Sequence, residues 1–192
     1  MPGEPEVHGL VALMEIQASR IGARTGPGGE PILLLDQDRR RWDRLLIRRG
    51  LEALERAQSL GGALGPYTLQ AAIAACHARA LEPADTDWQQ IAALYEVLAT
   101  VSPSPVVELN RAVAVGMASG PAEGLKLADA LLNDKAPAAY ALLPAVRGEF
   151  LEKLGRLEEA RAEFERAAAL TRNERERSIF QERAAEARRA AR

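Results

Sequence analysis

Prolines at the start of successive apolar stretches confine this chain to helices joined by short turns. Pro66, Pro105 and Pro121 each stand where a helix would begin, the last two directly after Ser104 and Gly120. At a first helical position the missing N–H of proline does no harm and its fixed φ is already helical. Between the breakers run segments rich in Ala and Leu, which lose little entropy in a helix, and β-branched runs are nearly absent. Only Ile32–Leu35 has the look of a strand. The expected class is all-α.

The segments predicted as helices are roughly 5–24, 37–60 with an interruption near Gly50, 66–82, 87–101, 105–118, 121–133, 138–154, 157–171 and 174–190. In the first, Leu10, Leu13, Met14, Gln17 and Ile21 share one face. The stretch Thr25–Gly29 is the most linker-like in the chain. Thr86 and Gln89 have the spacing of a capping box. Asp36 and Asp38 are placed to cap the helix beside them. Helices of this length with short loops predict antiparallel hairpins. Between Tyr140 and Asn173, residues Gly148, Leu151, Gly155, Ala160, Phe164 and Ala167 occupy the small and large packing positions of a tetratricopeptide repeat (TPR). Gly124, Ala128 and Leu131 echo that pattern loosely, and Trp88, Ile91, Tyr95 and Leu98 form a further apolar stripe. The expectation is a TPR-like right-handed solenoid of stacked hairpins. Residues 1–62 would be an N-terminal helical part and 63–192 the repeats, with Ile179 and Phe180 on a solvating terminal helix.

Composition narrows the function. The net charge of −2 argues against binding nucleic acid through a global field. The charge is polarised, with eight acids against two bases from Leu81 to Asp134, and six arginines against three aspartates from Asp36 to Arg49. Such polarity suits docking, or simply solvated helix faces. Cys76 is the single cysteine, so no intramolecular disulfide or cysteine-based zinc site is possible. The first residues lack a secretory signature and no apolar stretch is long enough for a membrane span, so a cytoplasmic location is expected. No phosphate loop, nucleotide-binding fingerprint or metal-spaced triad is present. Cys76 and His77 are adjacent and would point about 100° apart on a helix. The chain therefore reads as a non-enzyme without cofactor or metal.

Two clusters are candidates for binding. Tyr67, Gln70 and His77 fall on one side of the helix at 66–82; with Trp88 and with Asn110 and Arg111, which interrupt an apolar run, they would line a groove for a partner or ligand. Arg111 would then meet a carboxylate of the partner. Alternatively, Asn110 and Arg111 satisfy buried backbone groups or pair with an acid such as Glu108 or Asp87. Arg39, Arg40, Arg41, Trp42 and Arg44 form a basic docking segment. The other reading of that segment packs Trp42, Leu45 and Leu46 inward while the arginines pair with the acidic middle of the chain.

The strings EPEVHGLVALM (4–14), DQDRRRWDR (36–44), GPYTLQAAIAACHA (65–78), TDWQQIAALY (86–95), PSPVVELNRAVAV (103–115) and LGRLEEAR (154–161) resemble, in order, the long C-terminal extension of a group of extracytoplasmic-function RNA polymerase sigma factors. Those factors are typically encoded beside small YCII-related (DGPF) proteins. The resemblance implies a TPR-like later part and a regulatory role, tuning transcription initiation through contacts with the sigma core regions or RNA polymerase. A YCII-related protein is a further possible partner. The promoter-reading regions of such factors precede the extension and are not found in these residues, so no direct DNA binding is expected from them. A small-ligand sensor and a structural or dimerisation scaffold are the alternatives.

Overall fold

The computed structural model describes residues 3–133 and 140–191, which form two compact units, Met1–Ser102 and Pro103–Arg192. Within the first unit, the helix after Pro66 packs along the first two helices. Among the described residues there are nine α-helices and no strand; the class is all-α.

The first unit holds α1 (Pro5–Ala18), α2 (Arg44–Ser59), α3 (Pro66–Arg79) and α4 (Trp88–Val101). Pro5, Pro66 and the side chain of Asp87, which accepts from the Gln90 N–H, start three of them. Asp43 starts the other by accepting from the N–H groups of Leu45 and Leu46 at 2.9 and 3.1 Å. Asp38 caps only the short 3-10 turn Arg39–Arg41, and Thr86 does not cap α4. The strand-like run Ile32–Leu35 forms no strand: its second half enters a 3-10 turn at Leu34–Asp36, and a single bridge, Thr25 to Pro31, lies just before it.

The first helix ends at Ala18, short of the expected Arg24, and turns a different face inward. Gly9, Ala12 and Ile16 are buried, while Leu10, Met14 and Ile21 are exposed. The cause is close approach on two sides. A Cβ on Gly9 would lie 2.7 Å from the Thr68 nitrogen, and one on Gly50 would lie 2.6 Å from Ile16 Cγ1 and 3.1 Å from the Ala12 carbonyl. Gly50 is thus a contact point in an unbroken α2, where a break was expected. The Glu6 carboxylate reaches across to α3, accepting from the N–H groups of Tyr67 and Thr68 and from the Thr68 hydroxyl at 2.8, 3.1 and 2.8 Å. A carboxylate at a helix N-terminus satisfies orphan donors and complements the macrodipole.

The second unit holds α5 (Pro105–Ser119), α6 (Pro121–Ala130), α7 (Leu142–Lys153), α8 (Leu157–Leu170) and α9 (Glu174–Ala190). The expected helix start at 138 lies outside the described residues. Glycines set the close contacts of the hairpins α5–α6 and α7–α8, each against a phenylalanine ring, from the next helix in the first and from within the hairpin in the second. A Cβ on Gly124 would sit 2.7 Å from Gly116 Cα and 2.5 Å from the Phe150 ring, and one on Gly148 would sit 2.8 Å from the Phe164 ring. Small residues bring backbones together and a phenylalanine closes the space. Gly155, at φ +74°, ends α7 with the paired bonds Arg156 N–H to Leu151 C=O and Gly155 N–H to Glu152 C=O, both 2.9 Å. The last helix packs on α8 through Ala184 and Ala187, not through Ile179, which is exposed.

Candidate functional site

Polar chemistry concentrates in the first unit around Trp42. Its ring is 2% exposed, and the guanidinium groups of Arg39 and Arg20 lie 5.2 and 5.7 Å from its centroid. Trp42 and Arg39 are fixed by the segment between α1 and α2: the Asp43 N–H donates to the Ser19 carbonyl at 2.9 Å, joining the end of α1 to the start of α2. Arg39 is 3% exposed. Its Nη1 donates to the carbonyls of His77 and Ala80 at 2.9 and 3.0 Å, and its Nη2 to the Thr86 hydroxyl at 3.0 Å. The carbonyls belong to the end of α3, which has no further helical turn to satisfy them, and a cation complements that end of the macrodipole. Arg39 therefore staples α3 to the chain entering α4.

His77 sits beside this staple, buried, its ring 5.2 Å from Trp88 in an edge-to-face arrangement. Desolvation, then the positive charges of Arg39 and Arg20, lower its pKa to about 4. The imidazole is neutral at physiological pH, and its Nδ1 is buried without a hydrogen-bond partner among the described residues. Arg20 is lowered to about 10 by desolvation and by the neighbouring cations Arg24 and Arg39. Gln17 holds it: the amide oxygen accepts from both Arg20 and Arg24.

A cavity of about 180 Å³ opens beside these groups, between α1, α3 and α4. Gln17, Arg20, Gln70, His77 and Tyr95 supply its polar lining, and Leu13, Ile16, Leu34, Ile73 and Ala74 its apolar wall.

Of the residues singled out from sequence, Gln70 and His77 line this cavity, and His77 and Trp88 touch. Tyr67 is exposed at the start of α3, where its N–H donates to Glu6. Asn110 and Arg111 belong to the second unit; Asn110 is exposed, and Arg111 pairs with Glu108 at 2.8 Å, the acid named as its alternative partner. The basic segment is split. Arg39 and Trp42 are buried, in the contacts described above. Arg40, Arg41 and Arg44 are exposed, Arg40 paired with Asp38 at 2.9 Å. Leu45 points outward where an inward packing was one reading. Cys76 is buried, its thiol donating to the Ala72 carbonyl and Gln90 at 3.3 Å, and burial raises its pKa. Sequence reasoning missed Arg20 and gave Tyr95 only a packing role. The signal for Arg20 was its place three residues after Gln17, a spacing that stacks side chains on one helix face.

The exposed side of α1 is the second feature of the unit. Val7, Leu10, Val11, Met14 and, just beyond the helix, Ile21 are between 37% and 66% exposed, at spacings that place them along one stripe. In the second unit α5 exposes Val106, Asn110 and Met117 along one face.

Residues 1–58 match the model of a family of unknown function, DUF6596. The chain is also similar to an uncharacterized protein of Rhizobium meliloti (strain 1021), with 46% identity over 172 residues, 90% of this chain and 40% of that protein. The chain thus spans less than half the length of this curated relative. No solved structure matches the chain. No described helix is long and apolar enough to cross a membrane, and no group of His, Cys, Asp and Glu among the described residues is arranged to hold a metal ion.

Proposed function

We propose that this chain is the regulatory interaction domain of an extracytoplasmic-function sigma factor, binding the sigma core regions or RNA polymerase and so tuning transcription initiation in the cytoplasm. The observation that carries the interaction reading is the apolar stripe on α1. Soluble proteins rarely leave a contiguous apolar patch without a partner for it. Here α1 buries its small residues and presents Val7, Leu10, Val11, Met14 and Ile21 outward. The stripe lies within the 1–58 match, and four of its residues fall within the 4–14 string that carries the sigma-factor resemblance.

The hairpins of the second unit support a TPR-like architecture: Gly116 and Gly124 of α5–α6 meet the Phe150 ring of α7, and Gly148 of α7 meets the Phe164 ring of α8. On that reading they stack as a right-handed solenoid, and the first helix of each pair faces the partner. The exposed face of α5, with Asn110 and the neighbouring Arg111, then offers a second contact, and Tyr67, Gln70 and Trp88 contribute from the first unit. A YCII-related protein is a candidate further partner.

The test is a double substitution on the stripe, Met14→Glu with Ile21→Lys. Both side chains are more than 60% exposed, so the fold should persist by circular dichroism. Association with sigma core regions supplied as a separate chain should fall by at least tenfold. Unchanged association would remove the stripe from the interface.

A further inference from the structure

We infer that the cavity between α1, α3 and α4 is a binding site for a small organic carboxylate with a compact apolar body, anchored by Arg20. The inference is independent of the partner proposed above. Three observations converge on it. Arg20 lines the cavity, and its positive charge is met by no acid among the described residues: its bond is to the neutral amide oxygen of Gln17, shared with Arg24. The charges acting on Arg20 are those of Arg24 and Arg39, both cations. None of the described residues lining the cavity is acidic. A desolvated guanidinium without a counter-ion is unfavourable, and a carboxylate meeting its fork would relieve it with paired, charge-assisted hydrogen bonds.

His77 is the second observation. It is 8% exposed and lines the cavity, and its Nδ1 is buried without a hydrogen-bond partner among the described residues. Buried polar atoms in folded proteins are nearly always satisfied, and those that are not call for a reason. A ligand beside a neutral imidazole supplies one.

Size and wall chemistry are the third. The volume of about 180 Å³ is far larger than a water molecule occupies and close to that of cavities that admit benzene. Leu13, Ile16 and Ile73 give it an apolar side opposite in character to the arginine. An inorganic anion would leave that side unused, and a neutral hydrocarbon would leave the charge unmet. A carboxylate on a ring or branched chain uses both.

The experiment titrates the full chain with benzoate and isovalerate, and with benzamide, benzylamine and inorganic phosphate as controls, following backbone and arginine side-chain NMR shifts. Concentrations run to about 10 mM, where a fragment of this size with a modest affinity is detected. The carboxylates should give saturable shifts at α1 and α3, at least tenfold tighter than benzamide, benzylamine or phosphate. Arg20→Gln should weaken benzoate by at least tenfold. Because Arg20 also lies over Trp42, Ala74→Leu, which fills the cavity from the α3 side, provides a second variant and should abolish the shifts. Equal binding of benzamide would mean an apolar hole without an anion site, and equal binding of phosphate a bare cationic surface. Either result, no saturable shift from both carboxylates, or carboxylate binding that survives Ala74→Leu in a folded protein would overturn the inference.

Discussion

Replacing Arg39 by methionine keeps an unbranched stem of similar length against Trp42 but removes the three hydrogen bonds to His77, Ala80 and Thr86. Two carbonyls and a hydroxyl are then left short of a donor, and each buried unsatisfied group costs about 1–3 kcal/mol. Loss of the guanidinium over the indole removes roughly another 1 kcal/mol. Against this, a desolvated cation is no longer buried, which returns part of the loss. The net destabilisation should be about 3 kcal/mol. Both tryptophans of the chain, Trp42 and Trp88, lie in the first unit, so tryptophan fluorescence during urea unfolding reports that unit alone. With m of about 2 kcal/mol per molar urea, the midpoint should fall by about 1.5 M. Arg40→Met, one residue away and exposed, should leave the midpoint unchanged. A shift below about 0.3 M for Arg39→Met would refute the staple.

Acid should destabilise the first unit in a window set by His77. Its folded pKa of about 4 lies below the unfolded value, so the unfolded state binds the extra proton between about pH 6.5 and 4, and stability falls as pH falls through that range. From pH 7 to 5 the loss should be about 2 kcal/mol by tryptophan-monitored unfolding, and His77→Phe should flatten the slope. In the second unit, Gly124→Ala should destabilise by about 1–2 kcal/mol in calorimetry, because overpacking against Gly116 and Phe150 outweighs the gain of up to 1 kcal/mol in helix propensity. Arg111→Ala removes one partly exposed i,i+3 pair with Glu108 and should change stability by less than about 1 kcal/mol while weakening partner binding; a larger loss would make the residue structural.

The helices from α3 onward were legible because their boundaries are local chemistry. Pro66, Pro105, Pro121 and Asn173 act on the backbone beside them, and Gly155 ends α7 through bonds within its own turn. The stretch from Arg20 to Asp43 was not, because its conformation is decided by distant partners. Arg39 bonds to residues 38 to 47 positions away, and no local pattern distinguishes it from exposed Arg40. The buried face of α1 was not legible for a related reason. Hydrophobicity favours Leu10 and Met14 for the core, but Gly9 and Ala12 let α3 and α2 come close, and that contact wins. At the cavity, the spacing of Gln70 and His77 on α3 was visible in the sequence and Leu13 and Gln17 lay on the face expected for the first helix, whereas Ile16 and Arg20 did not.

The most direct measurement is co-purification of the full chain with a separate polypeptide carrying the sigma core regions of an extracytoplasmic-function sigma factor from the same genome, run beside the Met14→Glu, Ile21→Lys variant. A stable complex is expected with the unmodified chain and its loss with the variant, both proteins folded by circular dichroism. Two folded proteins that elute apart, with or without the substitutions, would contradict the assignment to a sigma-factor extension.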